Sequence, residues 1–440
     1  MLEWLIVGGG PHGVHTAVRL IEEAGVERQS IRILDDEPTL LARWRRMTAN
    51  TGMRYLRSPG VHHIDVAPSS LMQFARGPGR RIERPFTRPY ERPALALFER
   101  HCDAVIERYD LQTLHVQGRA VGLEMDDECA RVITNADSSS SIEAEQVVLA
   151  LGAPLEPLWP EWALGLHEQA AGGRVTHVFD PGFELVVDEH PSRVAVVGAG
   201  ITGGHTALRF AHAGHDVTLV SRHDIRVSQF DSDPGWQGPK HMTGYARVTD
   251  ARERRAIIAE ARQRGSMPPE VKSAVRSACA SGDLELVVSE VQRAEVNGTT
   301  IALDVAGRRC EFDRVVLATG FPGHRPGGAW LDACVAEHDL PCAPCGYPVV
   351  DKSLRWAPRL FVTGPLAELE LGPVARNISG ARRAADRIVE FAASARRENS
   401  ADVLIRLPVA ERLPRPSDEA AGSTSLGPRP LPPATGRVCS

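Results

Sequence analysis

The residues whose types and spacing suit chemistry best are two glycine clusters of one pattern. They are Gly8-Gly9-Gly10-Pro11-His12-Gly13 and, 190 positions later, Gly198-Ala199-Gly200-Ile201-Thr202-Gly203. In a G-x-G-x-x-G turn the first glycine lets the chain bend sharply out of a strand, and the second lets the backbone approach a pyrophosphate. The third lets the following helix pack closely on the sheet. The phosphates then rest at a helix N-terminus, where unpaired N–H groups and the helix dipole favour negative charge. Each cluster follows an apolar run, Leu5-Ile6-Val7 or Val194-Ala195-Val196-Val197, and precedes a helical pattern. In each copy the next strand ends in a charged residue about 20 residues on, as the pattern requires.

Those two charges are opposite. The run Ile31-Arg32-Ile33-Leu34 ends at Asp35 and Asp36, whereas Val217-Thr218-Leu219-Val220 ends at Ser221 and Arg222. A carboxylate at that point accepts a hydrogen bond from a ribose 2′-hydroxyl, and an arginine suits a 2′-phosphate. The chain is therefore expected to hold two dinucleotides, one without and one with the extra phosphate, and to pass electrons between them.

Other candidates weigh less. Cys342-Ala343-Pro344-Cys345 has the spacing of a redox dithiol, but it stands between Pro341 and Gly346-Tyr347-Pro348 in a loop. No helix start is there to lower a thiol pKa. The sixteen histidines show no paired metal-ligand spacing, so no metal site is expected. Arg57-Ser58-Pro59 with His62-His63 is a polar cluster that reads either as a phosphate or substrate contact or as a solvated loop.

A chain of 440 residues exceeds what one hydrophobic core usually supports, so at least two domains are expected. The net charge of −5 carries no long block of one sign, which argues against nucleic acid or a membrane surface as partner. No apolar run approaches a membrane span, and the first strand starts within five residues, leaving no room for a signal peptide. Eight scattered cysteines suit a reducing compartment. The expectation is a cytoplasmic protein, with a homo-oligomer left open.

The elements that must position the glycine loops alternate strand and helix, predicting an α/β fold of two Rossmann-like domains, the second inserted into the first. Residues 1–160 form the first part of the first domain, with the polar run Asn135 to Ser141 as a surface loop. Residues 161–322 form the second domain. A largely helical insertion over 223–282 interrupts it, with Phe230 to Trp236 carrying exposed aromatics; it reads as an ordinary insertion or as a substrate-side lid. Residues 323–405 return to complete the first domain, ending in a helix from about 374 to 396. The proline-, serine- and glycine-rich stretch 406–440 reads as a disordered tail.

Together these pieces resemble the two-domain NADPH-dependent flavin monooxygenases, a group that includes the flavin-containing and the lysine and ornithine N-hydroxylating enzymes. Pro11 after Gly10, the late second fingerprint, and the motifs Ala150-Leu151-Gly152 and Ala318-Thr319-Gly320-Phe321 carry the resemblance. Asp313 to Phe321 is similar to the D-x-x-x-L-A-T-G-Y motif of the N-hydroxylating enzymes, with phenylalanine in place of tyrosine. Gly173 to His177 is similar to the core of the signature F-x-G-x-x-x-H, with Ala171 where phenylalanine is usual. Phe230 to Trp236 and Leu369 to Ile378 resemble a bacterial branch of FAD/NAD(P)-binding proteins.

The resemblance implies FAD at the first fingerprint, NADPH at the second, and dioxygen with a small-molecule substrate as reactants. A C4a-hydroperoxyflavin would give one oxygen to a nucleophilic nitrogen or sulfur. It implies Trp44 and Asn50 near the flavin ring, with Asn50 donating a hydrogen bond close to the reacting oxygen. It also implies that Gly364-Pro365 and Gly372-Pro373 bring a helix N-terminus to the flavin pyrimidine. It implies Gly152, Thr319 and Gly320 as further cofactor-binding positions. Two alternatives stand beside it: a flavin-dependent reductase passing electrons to a quinone or disulfide, and a non-catalytic nucleotide-binding regulator.

Overall fold

The computed structural model describes residues 1–136, 139–170, 173–185 and 191–406. The chain divides into the units Met1–Ala395 and Arg396–Ser440. The tail read from 406 lies, from 407 on, outside the described residues.

Strand Leu2–Val7 starts the first sheet because its residues alternate between two cores. Trp4 and Ile6 join one cluster with Val14, Val18 and Phe98; Leu5 and Val7 join the other with Leu123, Leu360 and Leu366. Parallel strands buried on both faces read as continuous apolar runs for this reason. This eight-stranded sheet runs in the order Arg355–Ala357, Leu360–Val362, Ser139–Leu149, Leu2–Val7, Ile31–Asp35, His115–Gln117, with a meander (Ala120–Met125, Ala130–Ala136) on Ser139–Leu149. The chain thus leaves this sheet after residue 149 and returns to it at residue 355. Val7 pairs with both Leu34 and Leu149, so Gly8, Asp35 and Ala150 emerge side by side at one edge.

The second sheet repeats the device. Its five parallel strands run Leu284–Val288, Asp216–Ser221, Arg193–Val197, Arg314–Leu317, Val175–His177. Val194 and Val196 face a core with Phe210, Val271 and Val275, while Ala195 faces one with Leu303 and Phe312 from a three-stranded antiparallel sheet. Val197 pairs with Val220 and Leu317, which brings Gly198, Ser221 and Ala318 to one edge.

Several expectations shift. The polar run 135–141 is mostly strand, since Ala130–Ala136 pairs with Ser139–Leu149; residues 137–138 lie outside the described residues. The insertion is shorter than 223–282. Helix Pro269–Ser281 is the crossover between Asp216–Ser221 and Leu284–Val288, and its Val271 and Val275 are core residues. Trp236 is buried, not exposed. The C-terminal helix runs Ile378–Arg406, because Pro373–Arg376 forms a short 3₁₀ turn before it.

Candidate functional site: two glycine loops

The first loop is built by close approach. Gly8 has φ +119°, and a Cβ there would lie 2.5 Å from the Ala150 carbonyl oxygen. A Cβ on Gly13 would lie 1.8 Å from the Gly8 oxygen, so the helix Pro11–Glu22 sits against the loop as only glycine permits. Gly10 is the N-cap of that helix, makes no side-chain cap and has nothing within 4 Å of its Cβ direction, as at Gly152. Uncapped first-turn N–H groups facing open space are what a pyrophosphate requires. Pro11 starts the helix and His12 follows, its Nδ1 2.9 Å from Thr363 Oγ1. Burial lowers the His12 pKa to about 4, so the ring is neutral at pH 7. Gly364, φ +65°, lies beside it: a Cβ there would be 3.6 Å from His12 Nδ1 and 3.4 Å from the Leu151 oxygen.

The two acids at this edge are not equivalent. Asp35 accepts hydrogen bonds from the N–H groups of Gly9 and Glu37, and burial raises its pKa despite them. Asp36 is paired with Arg119 at 2.7 Å. Asp35 therefore belongs to the loop, and Asp36 is engaged elsewhere.

The second loop has the same construction. Gly198 has φ +114°, with a Cβ 2.6 Å from the Ala318 oxygen, and a Cβ on Gly203 would lie 1.6 Å from the Gly198 oxygen. Gly200 caps helix Ile201–His212 without a side-chain bond, and Thr202 stands in its first turn. Arg222 is exposed and forms no ion pair with the described residues, whereas Ser221 is buried and donates to the His223 carbonyl at 2.6 Å. Thr319 Oγ1 donates to the Leu158 carbonyl, and the Leu158 N–H donates to the Gly320 carbonyl at 2.8 Å. The motif after strand Arg314–Leu317 is thereby tied to the proline-rich connection. Asp313 lies at the opposite end of that strand, where it accepts from the Arg193 N–H at 2.7 Å; its role is to hold the strand pair.

Other expected residues are placed away from the loops. Asn50 donates to the Val178 carbonyl at 2.8 Å, and Arg209 binds the Ala49 and Asn50 carbonyls, so Asn50 is part of the seam joining the two sheets. Trp44 packs on Phe98 with ring centroids 5.1 Å apart, against the first core. Gly372, φ +76°, packs beside Met242 and Trp236 of the insertion, with Pro373 buried next to it. His177 closes a turn: its Nδ1 accepts from the Phe179 N–H, and burial lowers its pKa to about 4. Cys342 and Cys345 are exposed on a tight turn closed by Gly346 N–H to the Ala343 carbonyl. A cavity of about 620 Å³ lined by Trp159, His167, Thr176, Asp180 and Phe183 opens beside strand Val175–His177, and no fingerprint residue lines it.

Of the residues that fix the seam, sequence reasoning singled out only Arg57, and as a phosphate or substrate contact or a solvated loop; the structure instead spends it on backbone carbonyls, and Arg92 and Glu368 were missed. Arg57 donates to the carbonyls of Ser228 (2.8 Å), Gln229 (3.0 Å) and Phe230 (2.7 Å), and to Ser266 Oγ (2.9 Å). Arg92 pairs with Glu270 at 2.6 Å. Glu368, 1% exposed, is held between Arg255 and Arg376. The repeated arginines between 252 and 264 were the available signal.

Two glycine-loop helices, each set at the carboxyl edge of a parallel sheet, define a protein with two dinucleotide-binding units. The chain belongs to the pyridine nucleotide-disulphide oxidoreductase family, whose sequence profile matches residues 2–237. The ornithine hydroxylase PvdA from Pseudomonas aeruginosa shares 16% identity over 89% of this chain and 99% of its own, with a TM-score of 0.69. The ornithine N-hydroxylase KtzI of Kutzneria sp. 744, solved with reduced FAD, NADP+ and L-ornithine, matches at 16% identity over 90% of this chain and 100% of its own, TM-score 0.69. The bacillithiol disulfide reductase Bdr from Bacillus cereus matches at 16% identity, 90% and 99% coverage, and TM-score 0.57. At these identities the likeness is one of fold. No curated protein matches the sequence. Among the described residues, no helix is long and apolar enough to cross a membrane, and no group of three or more His, Cys, Asp or Glu is placed to hold a metal ion.

Proposed function

We propose that this chain is an FAD-dependent, NADPH-using monooxygenase that hydroxylates a small amine or other heteroatom substrate with dioxygen, in the cytoplasm. The observation that carries the reading is the opposite charge at two otherwise matching loops: Asp35 beside Gly9, and unpaired Arg222 beyond Ser221. The fold shared with two ornithine hydroxylases supports it. The first loop fits FAD, since its uncapped helix and the open space at Gly10 and Gly152 suit a pyrophosphate. Flavin supplies hydride acceptance and oxygen activation when bound.

The protein's own work is binding, orientation and exclusion of water. The Pro11–Glu22 helix N-terminus holds the FAD pyrophosphate, with Asp35 on the ribose side. Neutral His12, fixed by Thr363, positions the chain at Gly364 without adding charge. The Ile201–His212 helix N-terminus holds the NADPH pyrophosphate, and Arg222 takes the 2′-phosphate. Asn50, Arg209, Arg57 and Arg92 fix the two sheets relative to one another, which sets the hydride path. The reductase alternative gains nothing from Cys342 and Cys345: they start no helix, and partial desolvation raises the Cys342 pKa.

The test is direct. Purified protein given FAD should turn yellow, and NADPH under air should bleach and then restore the flavin band at about 450 nm. Screening simple amines, lysine and ornithine for hydroxylated product identifies the acceptor. A protein that refuses flavin, or holds it without bleaching, refutes the reading.

A further inference from the structure

Where the insertion meets the approach to the long helix, guanidinium groups outnumber carboxylates. Arg57, Arg255, Arg262 and Arg376 share one neighbourhood with Asp231 and Glu368. Both carboxylates are engaged: Glu368 by Arg255 and Arg376, and Asp231 Oδ1 by the Asn377 amide at 3.0 Å. Arg57 spends its donors on backbone carbonyls, and Arg376 also reaches the Tyr347 hydroxyl at 2.8 Å.

Arg262 differs. Its side chain is 17% exposed, its nearest acid oxygen is Asp231 Oδ2 at 3.8 Å, and its buried Nε and Nη1 have no hydrogen-bond partner among the described residues. Gln229 Nε2, on the segment that Arg57 grips, is likewise buried without a partner. Burial and then the like charge of Arg376 act against the charged form of Arg262. A mostly buried cation with one long ion pair and two unbonded N–H groups is costly for a fold to carry. Its place is informative. The Asn377 that binds Asp231 opens the long helix, and the backbone of Arg376 and Asn377 adjoins His12 of the first loop. On the other side, a Cβ on Gly200 of the second loop would lie 3.4 Å from Gly265 Cα, three residues from Arg262.

We propose that Arg262 is an anion site that binds a carboxylate or phosphate group borne by the small-molecule substrate. The reading rests on the proposed monooxygenase function only for the identity of that substrate. The second dinucleotide already has its own partners in the Ile201–His212 helix N-terminus and Arg222, so the anion at Arg262 is assigned to the substrate and not to the coenzyme.

The experiment titrates the purified full-length chain with acetate and with inorganic phosphate at constant ionic strength, by calorimetry and thermal melting, with and without saturating NADP+. The wild type should bind at least one of the two saturably, and NADP+ should not compete. Arg262→Gln should weaken this binding by about tenfold or more, the scale for hydrogen bonds to a charged group, and Arg262→Lys should restore part of it. Equal binding by wild type and Arg262→Gln overturns the proposal. Competition with NADP+, or a lowered NADP+ affinity in Arg262→Gln, also overturns it by giving the anion to the coenzyme. If Arg262→Gln does not fold, the wild type still decides: no saturable anion binding refutes the site. Failure of NADPH to bleach bound flavin would instead defeat the proposed function and leave the titration standing.

Discussion

Replacing the third glycine of each loop separates the two sites cleanly. A Cβ on Gly13 would lie 1.8 Å from the Gly8 oxygen, and one on Gly203 would lie 1.6 Å from the Gly198 oxygen. Contacts under 3.0 Å are essentially never seen, so each helix must withdraw from its loop by about 1.2 or 1.4 Å, the differences from that limit. Both contacts are with backbone, so no side-chain rotation relieves them. The strain is that of an overpacked core, about 1–3 kcal/mol. More important is what moves, since the withdrawn end carries the N–H groups that meet phosphate. Gly13→Ala is expected to yield folded protein that purifies with little or no flavin. Gly203→Ala is expected to stay yellow while its flavin is reduced by NADPH at least tenfold more slowly, about 1.4 kcal/mol in barrier. Flavin content by absorbance and single-turnover reduction under nitrogen read the two outcomes. Should Gly203→Ala lose flavin while keeping fast reduction of what remains, or Gly13→Ala lose only NADPH reduction, the assignment of the loops is wrong.

Arg222→Ala should raise the KM for NADPH roughly tenfold to a hundredfold, matching 1.5–3 kcal/mol for a charged hydrogen bond, and leave NADH almost unchanged; equal loss for both coenzymes would show that Arg222 reads no phosphate. Arg57→Ala should slow flavin reduction and lower the melting temperature, since the Ser228, Gln229 and Phe230 carbonyls lose a shared donor, a destabilisation of about 3 kcal/mol. Arg57→Lys should not rescue it, because one ammonium cannot span three carbonyls; a wild-type melting curve for either variant would refute the role. Burial lowers seven histidines, with His15 and His101 at about 3 and His12, His62, His63, His177 and His205 at about 4. The unfolded chain takes up these protons below pH 6.5 while the folded chain refuses them. Stability should therefore be full above pH 6.5 and fall steadily as the pH drops towards 4. Urea midpoints that stay flat from pH 7 to 4.5 would contradict those environments.

What was legible in the sequence was whatever a backbone demands locally. Gly8 and Gly198 need positive φ, Gly13 and Gly203 need a missing Cβ, and Val7 and Val197 sit in apolar runs that only a doubly covered strand tolerates. What was not legible depends on partners far along the chain. Asn50 has the right type for a hydrogen bond at a reacting oxygen, but its acceptor is Val178, 128 residues away. Helix Pro269–Ser281 was read as part of an insertion because charge dominates its surface, and the two buried valines that seat it make a faint stripe. The Gly372-Pro373 pair reads as a helix start. Yet the 3₁₀ turn it begins stops at Arg376, and Gly380 then packs so closely that a Cβ would lie 2.3 Å from the Val374 oxygen.

The same distant pairings bear on whether the insertion opens as a lid. Trp236, Tyr245 and Ile258 form a core of their own with Ala343, Tyr347, Leu369 and Val374, on the segment that leads into the long helix. Swinging the insertion away would expose that cluster, take Arg255 from a Glu368 that is 1% exposed, and break the Arg254–Glu370 pair. Removing one partner of a buried ion pair alone costs about 3–5 kcal/mol, which holds the open form to roughly 1% or less. Access for reactants must therefore come from movement elsewhere, and the seam held by Asn50, Arg209 and Arg57 is the place where smaller shifts would widen a path. Linking the insertion to the 368–376 segment through an engineered disulfide should then leave flavin reduction by NADPH within about twofold of the wild type. A block on reduction that is relieved by reducing the disulfide would show that the insertion is the moving part after all.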